Sequence, residues 1–197
     1  MTDWLIHIDT KFFLFLNSFN SPFFDNVMWH ISGKWEWLPL YAILLWAIIN
    51  RYRQKSIAVV LAIVAIIALA DMVSSQLIKE SVARLRPSNA PELEGLVHIV
   101  NGYRGGRYGF VSSHAANSFA LAVFLSVLFK KKWFTLSIFL WALLVSYSRI
   151  YLGVHYPGDI LGGALLGAFS ALLVYYVYAL YKSRFEKKNA EGLHNKA

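Results

Sequence analysis

Apolar residues run along this chain in long unbroken stretches rather than alternating with polar ones. Five such stretches fall at 38–50, 56–77, 115–129, 133–147 and 160–181, and the first is extended by Trp35 and Trp37. About 20 apolar residues in helical form cross the hydrocarbon of a bilayer. Only helices and closed barrels satisfy their backbone there, and a barrel strand alternates where these stretches do not, so the pattern predicts helices. Residues 1–33 read differently. Trp4, Leu5, Ile8, Phe12, Leu14, Phe15 and Leu16 make an amphipathic set that stops at Asn17, Ser18, Asn20, Ser21 and Pro22, and a short apolar piece follows at 23–31. This predicts an interfacial helix and then a short or re-entrant one, with one further span as the alternative. The expected fold is an all-α integral membrane protein, a bundle of about five to six transmembrane helices with an N-terminal interfacial or re-entrant segment. One domain covers 1–185, and 186–197 is a polar cytoplasmic tail expected to be disordered.

Composition supports the membrane class. Of 197 residues 57% are hydrophobic and only 15% charged, with a mean hydropathy of +0.48, unlike an ordinary soluble domain. The 7 Trp, 11 Tyr and 14 Phe suit the two bilayer interfaces. A start that carries Asp3 and Asp9 and no basic leader does not read as a cleavable signal. Without cysteine, disulfide and thiolate chemistry are excluded.

The net charge of +8 could point to nucleic acid, but its placement does not. Arg51, Arg53 and Lys55 lie between the first two runs, Lys130, Lys131 and Lys132 between the third and fourth, and Lys182, Arg184, Lys187 and Lys188 after the last. With alternating spans all of them share one side, and the positive-inside rule makes that side cytoplasmic. The segments 79–113 and 148–156 then face outward. The expectation is a multi-pass membrane protein with its chemistry facing the periplasm or exterior, in contact with bilayer lipid and not with nucleic acid; the oligomeric state stays open.

The outward segments hold Lys79, Arg84, Arg86, Arg104, Arg107 and Arg149 with His114, His155 and Asp159. Cations delivered to one membrane face by segments remote in sequence suit a phosphate, which the Arg fork grips through two oxygens at once. Three spacings recur. Lys79 to Pro87 reads K-x6-R-P through Arg86; Ser112, Ser113 and His114 stand together before the third run; Ser148, Arg149, His155 and Asp159 read S-R-x5-H-x3-D. In this order they resemble the signature of the type 2 phosphatidic acid phosphatase superfamily, which includes the lipid phosphate phosphatases and the vanadium haloperoxidases. The resemblance covers 79–159. It departs at one place: Val111-Ser112-Ser113-His114 stands where the family has P-S-G-H. The family glycine brings a backbone N–H to the phosphate, and Ser113 does the same if its φ is negative.

The resemblance implies that His155 is the nucleophile and forms a phosphohistidine, with Asp159 fixing its tautomer. It implies that His114 protonates the leaving oxygen and then activates water. Lys79, Arg86, Arg149, Ser112 and Ser113 would hold the phosphoryl oxygens, without metal or other cofactor. Arg84, Arg104 and Arg107 match no motif position and read either as snorkelling anchors or as headgroup contacts. Asp71 lies inside an apolar run, about 12 Å along the axis from Lys79, and reads as a partner of Ser or Tyr within the bundle or as a functional carboxylate. The substrate expected is a lipid phosphate or pyrophosphate: undecaprenyl pyrophosphate first, lipid A phosphate next, phosphatidylglycerol phosphate or phosphatidic acid third. Phosphotransfer to a lipid acceptor stays open beside hydrolysis. A transporter that binds such lipids without chemistry is the reading from another class.

Overall fold

The computed structural model describes residues 3–194, with side chains described through Arg184. Helix α1 is Asp3–Asn17 and α2 is Pro22–Ser32. Ser21 caps α2, its Oγ accepting from the Phe24 N–H at 3.4 Å, and Pro22 supplies the pre-set φ of the first position. At 15 and 11 residues, neither is among the stretches long and apolar enough to cross a membrane. They are anchored at one end of the bundle: the Asn17 amide donates to the carbonyl oxygens of His98, Ile150 and Tyr151 at 2.8–3.2 Å. Trp4, Phe12, Phe15 and Phe23 stay exposed on the outer face.

Among the described residues three helical stretches are long and apolar enough to cross a membrane: Trp35–Val82, Lys132–Tyr151 and Pro157–Arg184. The first folds back on itself at Arg53, whose φ of 49° reverses the chain. It thus supplies α3 (Leu38–Tyr52) and α4 (Ser56–Met72), followed by a π-helical turn at Val73–Ile78 and the short α5 (Lys79–Val82). Helices α6 (Ser113–Phe129), α7 (Lys132–Tyr151) and α8 (Pro157–His194) complete the bundle, so each run read from the sequence lies on a helix. The backbone of the tail expected to fray from residue 186 continues α8 to His194, over good helix formers such as Glu186, Lys187 and Ala190. Its side chains and residues 195–197 lie outside the described residues.

Helix α6 is the hub. Ala115, Ala116, Ala120, Ala122, Phe124 and Leu125 are all inaccessible. A Cβ at Gly163 or Gly167 of α8 would strike the carbonyl oxygens of Ser112 or Ala116, so glycine lets the two backbones meet. The outward surface is inverted relative to a soluble protein, with Leu136, Leu140, Leu161, Leu165 and Phe169 exposed where lipid would solvate them.

The basic turns gather at one end. The Tyr52 hydroxyl donates to the Leu128 carbonyl at 2.8 Å, and the Arg51 guanidinium lies 5.8 Å from the Phe129 ring. The opposite end is closed by the segment between α5 and α6 and the turn between α7 and α8. Within it, residues 84–86 and 107–109 pair as a short antiparallel ladder, with Arg86 N–H to Arg107 O at 3.2 Å and Gly109 N–H to Arg84 O at 2.9 Å. In extended backbone, residues two apart share a face, so the ladder turns Arg84 and Arg86 toward the start of α8 together.

Candidate active site

Each functional side chain is placed by a local feature. The π-helical turn widens α4 before Lys79 and carries Ser74, whose hydroxyl meets that of Ser113 at 2.8 Å. Lys79 Nζ donates to the same Ser113 Oγ at 2.8 Å. Arg86 is fixed by its Nε donating to the Tyr108 carbonyl at 3.1 Å. Arg149, in the last turn of α7, donates to the Ser32 hydroxyl and, at 3.2 Å, to the Tyr103 hydroxyl. Pro157 opens α8 and places Asp159 in its first turn, one turn beyond His155.

These elements surround a cavity of about 660 Å³. At one end it is lined by Lys79, Arg86, Ser113, His114, Arg149 and His155, so six of the eight residues singled out from the sequence meet in one space. From there an apolar groove continues between α3, α4, α6 and α7, past Tyr41, Leu45, Ile63, Ile67 and Leu121. A charged head with an apolar tail fits this shape.

Asp159 is the seventh residue, and it stands behind His155 rather than in the cavity. Its Oδ2 accepts from the Tyr156 N–H at 3.0 Å and lies 3.2 Å from His155 Nδ1. That contact occupies Nδ1 and leaves Nε2 as the free ring nitrogen. The eighth residue, Ser112, departs from its expected role as a phosphate ligand. Its side chain is fully buried and absent from the cavity wall, its Oγ caps α6 by accepting from the Ala115 N–H at 3.4 Å, and its own N–H donates to the Asp159 carbonyl at 3.0 Å. Ser113 has no positive φ, which meets the condition for a serine at the family glycine position.

Residues beyond the motifs complete the site. Arg84 is neither a surface anchor nor in the cavity wall. Its NH1 lies 3.1 Å from Asp159 Oδ1 and 2.7 Å from Asp9 Oδ2, and its guanidinium stacks 3.8 Å from the Tyr156 ring. Asp9 in turn accepts from the Gly158 N–H at 2.7 Å, at the start of α8. The signal for this was an acidic residue on the polar side of an amphipathic N-terminal helix, which in the sequence pattern alone counted only against a leader. Lys34 and Tyr103 join the cationic end and had no spacing to betray them. Arg104 is spent on the loop itself, donating to the Ser88 carbonyl at 2.5 Å.

Burial, with the positive charges of Arg86, Arg149 and Lys79 behind it, holds the His155 imidazole well below its usual 6.5, and the Gly109 carbonyl opposes this in part. His155 is therefore neutral at neutral pH, the form that can attack phosphorus. Among the described residues no group of three or more His, Asp and Glu side chains is arranged to hold a metal ion. The groups that converge are cations and imidazoles.

The PAP2 superfamily profile matches residues 59–182, which span all three motifs. The chain belongs to this superfamily. Two relatives extend the match to most of its length. A lipid A 4'-phosphatase of Bacteroides thetaiotaomicron is 46% identical over 180 residues, covering 90% of this chain and 80% of that one. A lipid A 4'-phosphatase of Porphyromonas gingivalis is 36% identical over 184 residues, covering 93% and 78%. In three dimensions the PAP2 chain resembles LpxE of Aquifex aeolicus, with a TM-score of 0.63, 25% identity, and 85% and 94% of the two chains covered. It also resembles the PAP2-type phosphatidylglycerolphosphate phosphatase of Bacillus subtilis, with a TM-score of 0.66, 26% identity, and 89% and 87% covered. With these relatives and this cavity, the PAP2 protein is a membrane lipid phosphatase, multi-pass and of bacterial type.

Proposed function

We propose that this phosphatase removes a phosphate monoester from lipid A or a close relative, on the extracytoplasmic face, through a phosphohistidine. The observation that carries the mechanism is the cavity in which both imidazoles and the cations Lys79, Arg86, Arg149 and Lys34 line one end while apolar helix faces form the other. His155 Nε2 attacks phosphorus, and a new N–P bond forms as the P–O bond to the lipid breaks. The electron pair of that bond goes to the lipid oxygen, which takes a proton from His114. Asp159 holds the Nδ1–H throughout and stabilises the charge that the ring acquires. Water then attacks the phosphohistidine and gives its proton to His114. A P–O bond replaces the N–P bond, and the imidazole recovers its electron pair. Lys79, Arg86 and Arg149 balance the phosphoryl oxygens in both steps, as arginines and lysines do in other phosphoryl transfers.

The basic turns at the far end of the bundle support an outward-facing site by the positive-inside rule. The lipid A 4'-phosphatases at 46% and 36% identity favour lipid A phosphate over undecaprenyl pyrophosphate, which stood first on sequence alone. Purified protein with chelator present should release phosphate from lipid A, and His155→Ala should release none while retaining binding. Turnover by His155→Ala, or chelator-sensitive release by the wild type, would sink the mechanism. Phosphate appearing only on an added acceptor lipid would replace hydrolysis by transfer.

A further inference from the structure

Between the cationic end of the cavity and its apolar floor lies a band of polar groups that the phosphate chemistry does not use. Asn117 faces the cavity one helical turn below His114, and its Oδ1 is buried without a hydrogen-bond partner among the described residues. Trp141 lines the cavity about two turns below Arg149, and its Nε1 is likewise buried and unpartnered. Asp71 lines the opposite wall about two turns below Lys79. The Ser74 and Ser75 hydroxyls bond its backbone carbonyl, and its carboxylate accepts no hydrogen bond from a described residue. The pairing with Ser or Tyr considered from the sequence therefore does not engage the carboxylate. Trp141 is held in place by edge-to-face contacts with Trp37 at 5.7 Å and Tyr41 at 6.4 Å.

The buried, unpartnered Asn117 Oδ1 and Trp141 Nε1 cost free energy that a ligand can relieve, and Asp71 adds an exposed carboxylate on the cavity wall that no described donor engages. We infer that Asn117, Asp71 and Trp141 form a subsite for the hydrogen-bonding linkages of an acylated sugar phosphate, and that this band sets the lipid class the enzyme accepts. The levels match the chemistry. One turn below the phosphate falls where a phosphorylated sugar ring carries its substituents, and two turns below falls where amide and hydroxyacyl groups join the alkyl chains. Asn117 presents both a donor and an acceptor, as does a secondary amide. Asp71 asks for a donor such as a hydroxyl, and Trp141 N–H asks for a carbonyl. A polyprenyl diphosphate brings no hydrogen-bonding group beyond its phosphates. A diacylglycerol phosphate brings acceptors but no donor for Asp71. A phosphatidylglycerol phosphate adds a glycerol hydroxyl but no amide, whereas the acylated amino sugar brings hydroxyl, amide and carbonyl together. The inference rests on the phosphatase reading of the same cavity.

The test compares kcat/KM for lipid A and for undecaprenyl diphosphate, with a soluble phosphate monoester as the reference. The variants are Asn117→Leu, Asp71→Asn and Trp141→Phe, the last removing the indole N–H while keeping an aromatic ring against Trp37 and Tyr41. Each should lower the ratio of lipid A to prenyl activity by about tenfold, the usual scale for one hydrogen bond to substrate. Equal losses on both lipids, an unchanged ratio, or a wild type that prefers the prenyl lipid would overturn the subsite and leave the phosphatase reading intact. A wild type inactive on both lipids and on the monoester would overturn that reading and the subsite with it.

Discussion

The two sides of His155 are built in opposite ways. Behind the ring the charges are paired within the protein: Asp159 takes the Nδ1 side, Arg84 NH1 bridges Asp159 to Asp9 while its NH2 has no partner among the described residues, and Asp9 caps the helix that carries Asp159. In front, buried donors wait. Arg86 NH1 and Arg149 Nε have no partner among the described residues. The back is a set of carboxylate–cation pairs that keeps one tautomer and one ring orientation, whereas the front holds cations with no carboxylate in contact among the described residues, ready for acceptor oxygens that the protein does not supply. Buried unpaired donors are rare in native structures because they cost free energy, and a site that keeps them is shaped for a ligand. Removing a front residue should damage the handling of phosphate charge, and removing a back residue should damage the nucleophile.

The front gives the largest effect. Arg149→Lys keeps a charge but loses the planar fork held between Ser32 and Tyr103, and kcat/KM should fall by about 10²–10³-fold, the scale of one lost transition-state donor. Phosphate-release kinetics on monodisperse protein would show it, and a loss below tenfold would remove Arg149 from the site. The same side sets the pH behaviour. Because burial and three cations hold His155 low, its neutral form persists as pH falls through 6.5, and activity limited by this group is lost only at lower pH. Arg86→Gln removes one of those cations, so the acid limb of kcat/KM should move upward. A limb that stays put or moves down would show that another group limits the rate.

Next comes the back. Arg84→Gln leaves the front cations in place but strips Asp159 of its side-chain counter-charge and frees Asp9. The expected loss is about 10- to 100-fold in kcat with little change in KM, since a residue that only orients a catalytic group acts through that group. Asp9→Asn should follow in the same direction and more weakly. A change in KM alone would place Arg84 with the front.

How far each side could be read from the chain follows from what holds it together. The front was legible because phosphate chemistry demands fixed residue types at short spacings: Lys79 to Arg86 and Arg149 to His155 each lie within one segment. The bundle was legible because a bilayer forces apolar runs into helices. The back was not, because Asp9 reaches Arg84 and Gly158 across long sequence separations and leaves as its trace only one more polar residue in an amphipathic helix. Two features were hidden for local reasons. The π-helical turn at Val73–Ile78 changes helix register where the sequence shows only a polar Ser74-Ser75-Gln76 patch within a long run, and Ser112 looks the same in sequence whether it caps a helix or binds phosphate.

Ser112 gives the smallest and sharpest test of the division, because the motif assigns it to the front and its contacts assign it to the back. Its hydroxyl caps α6, it is fully buried, and its N–H ties α6 to α8 through the Asp159 carbonyl. Ser112→Ala removes only the cap, so it should cost about 1 kcal/mol of stability, read as an earlier thermal transition in detergent, and leave kcat within about threefold. Ser113→Gly is the matching change on the other side. It removes the hydroxyl shared by Lys79 and Ser74, so kcat/KM should fall several-fold while the cap and the melting transition stay closer to wild type. If Ser112→Ala instead lost activity a hundredfold at unchanged stability, its hydroxyl would turn into the cavity when phosphate binds, and the boundary between the two sides would run through α6 rather than through His155.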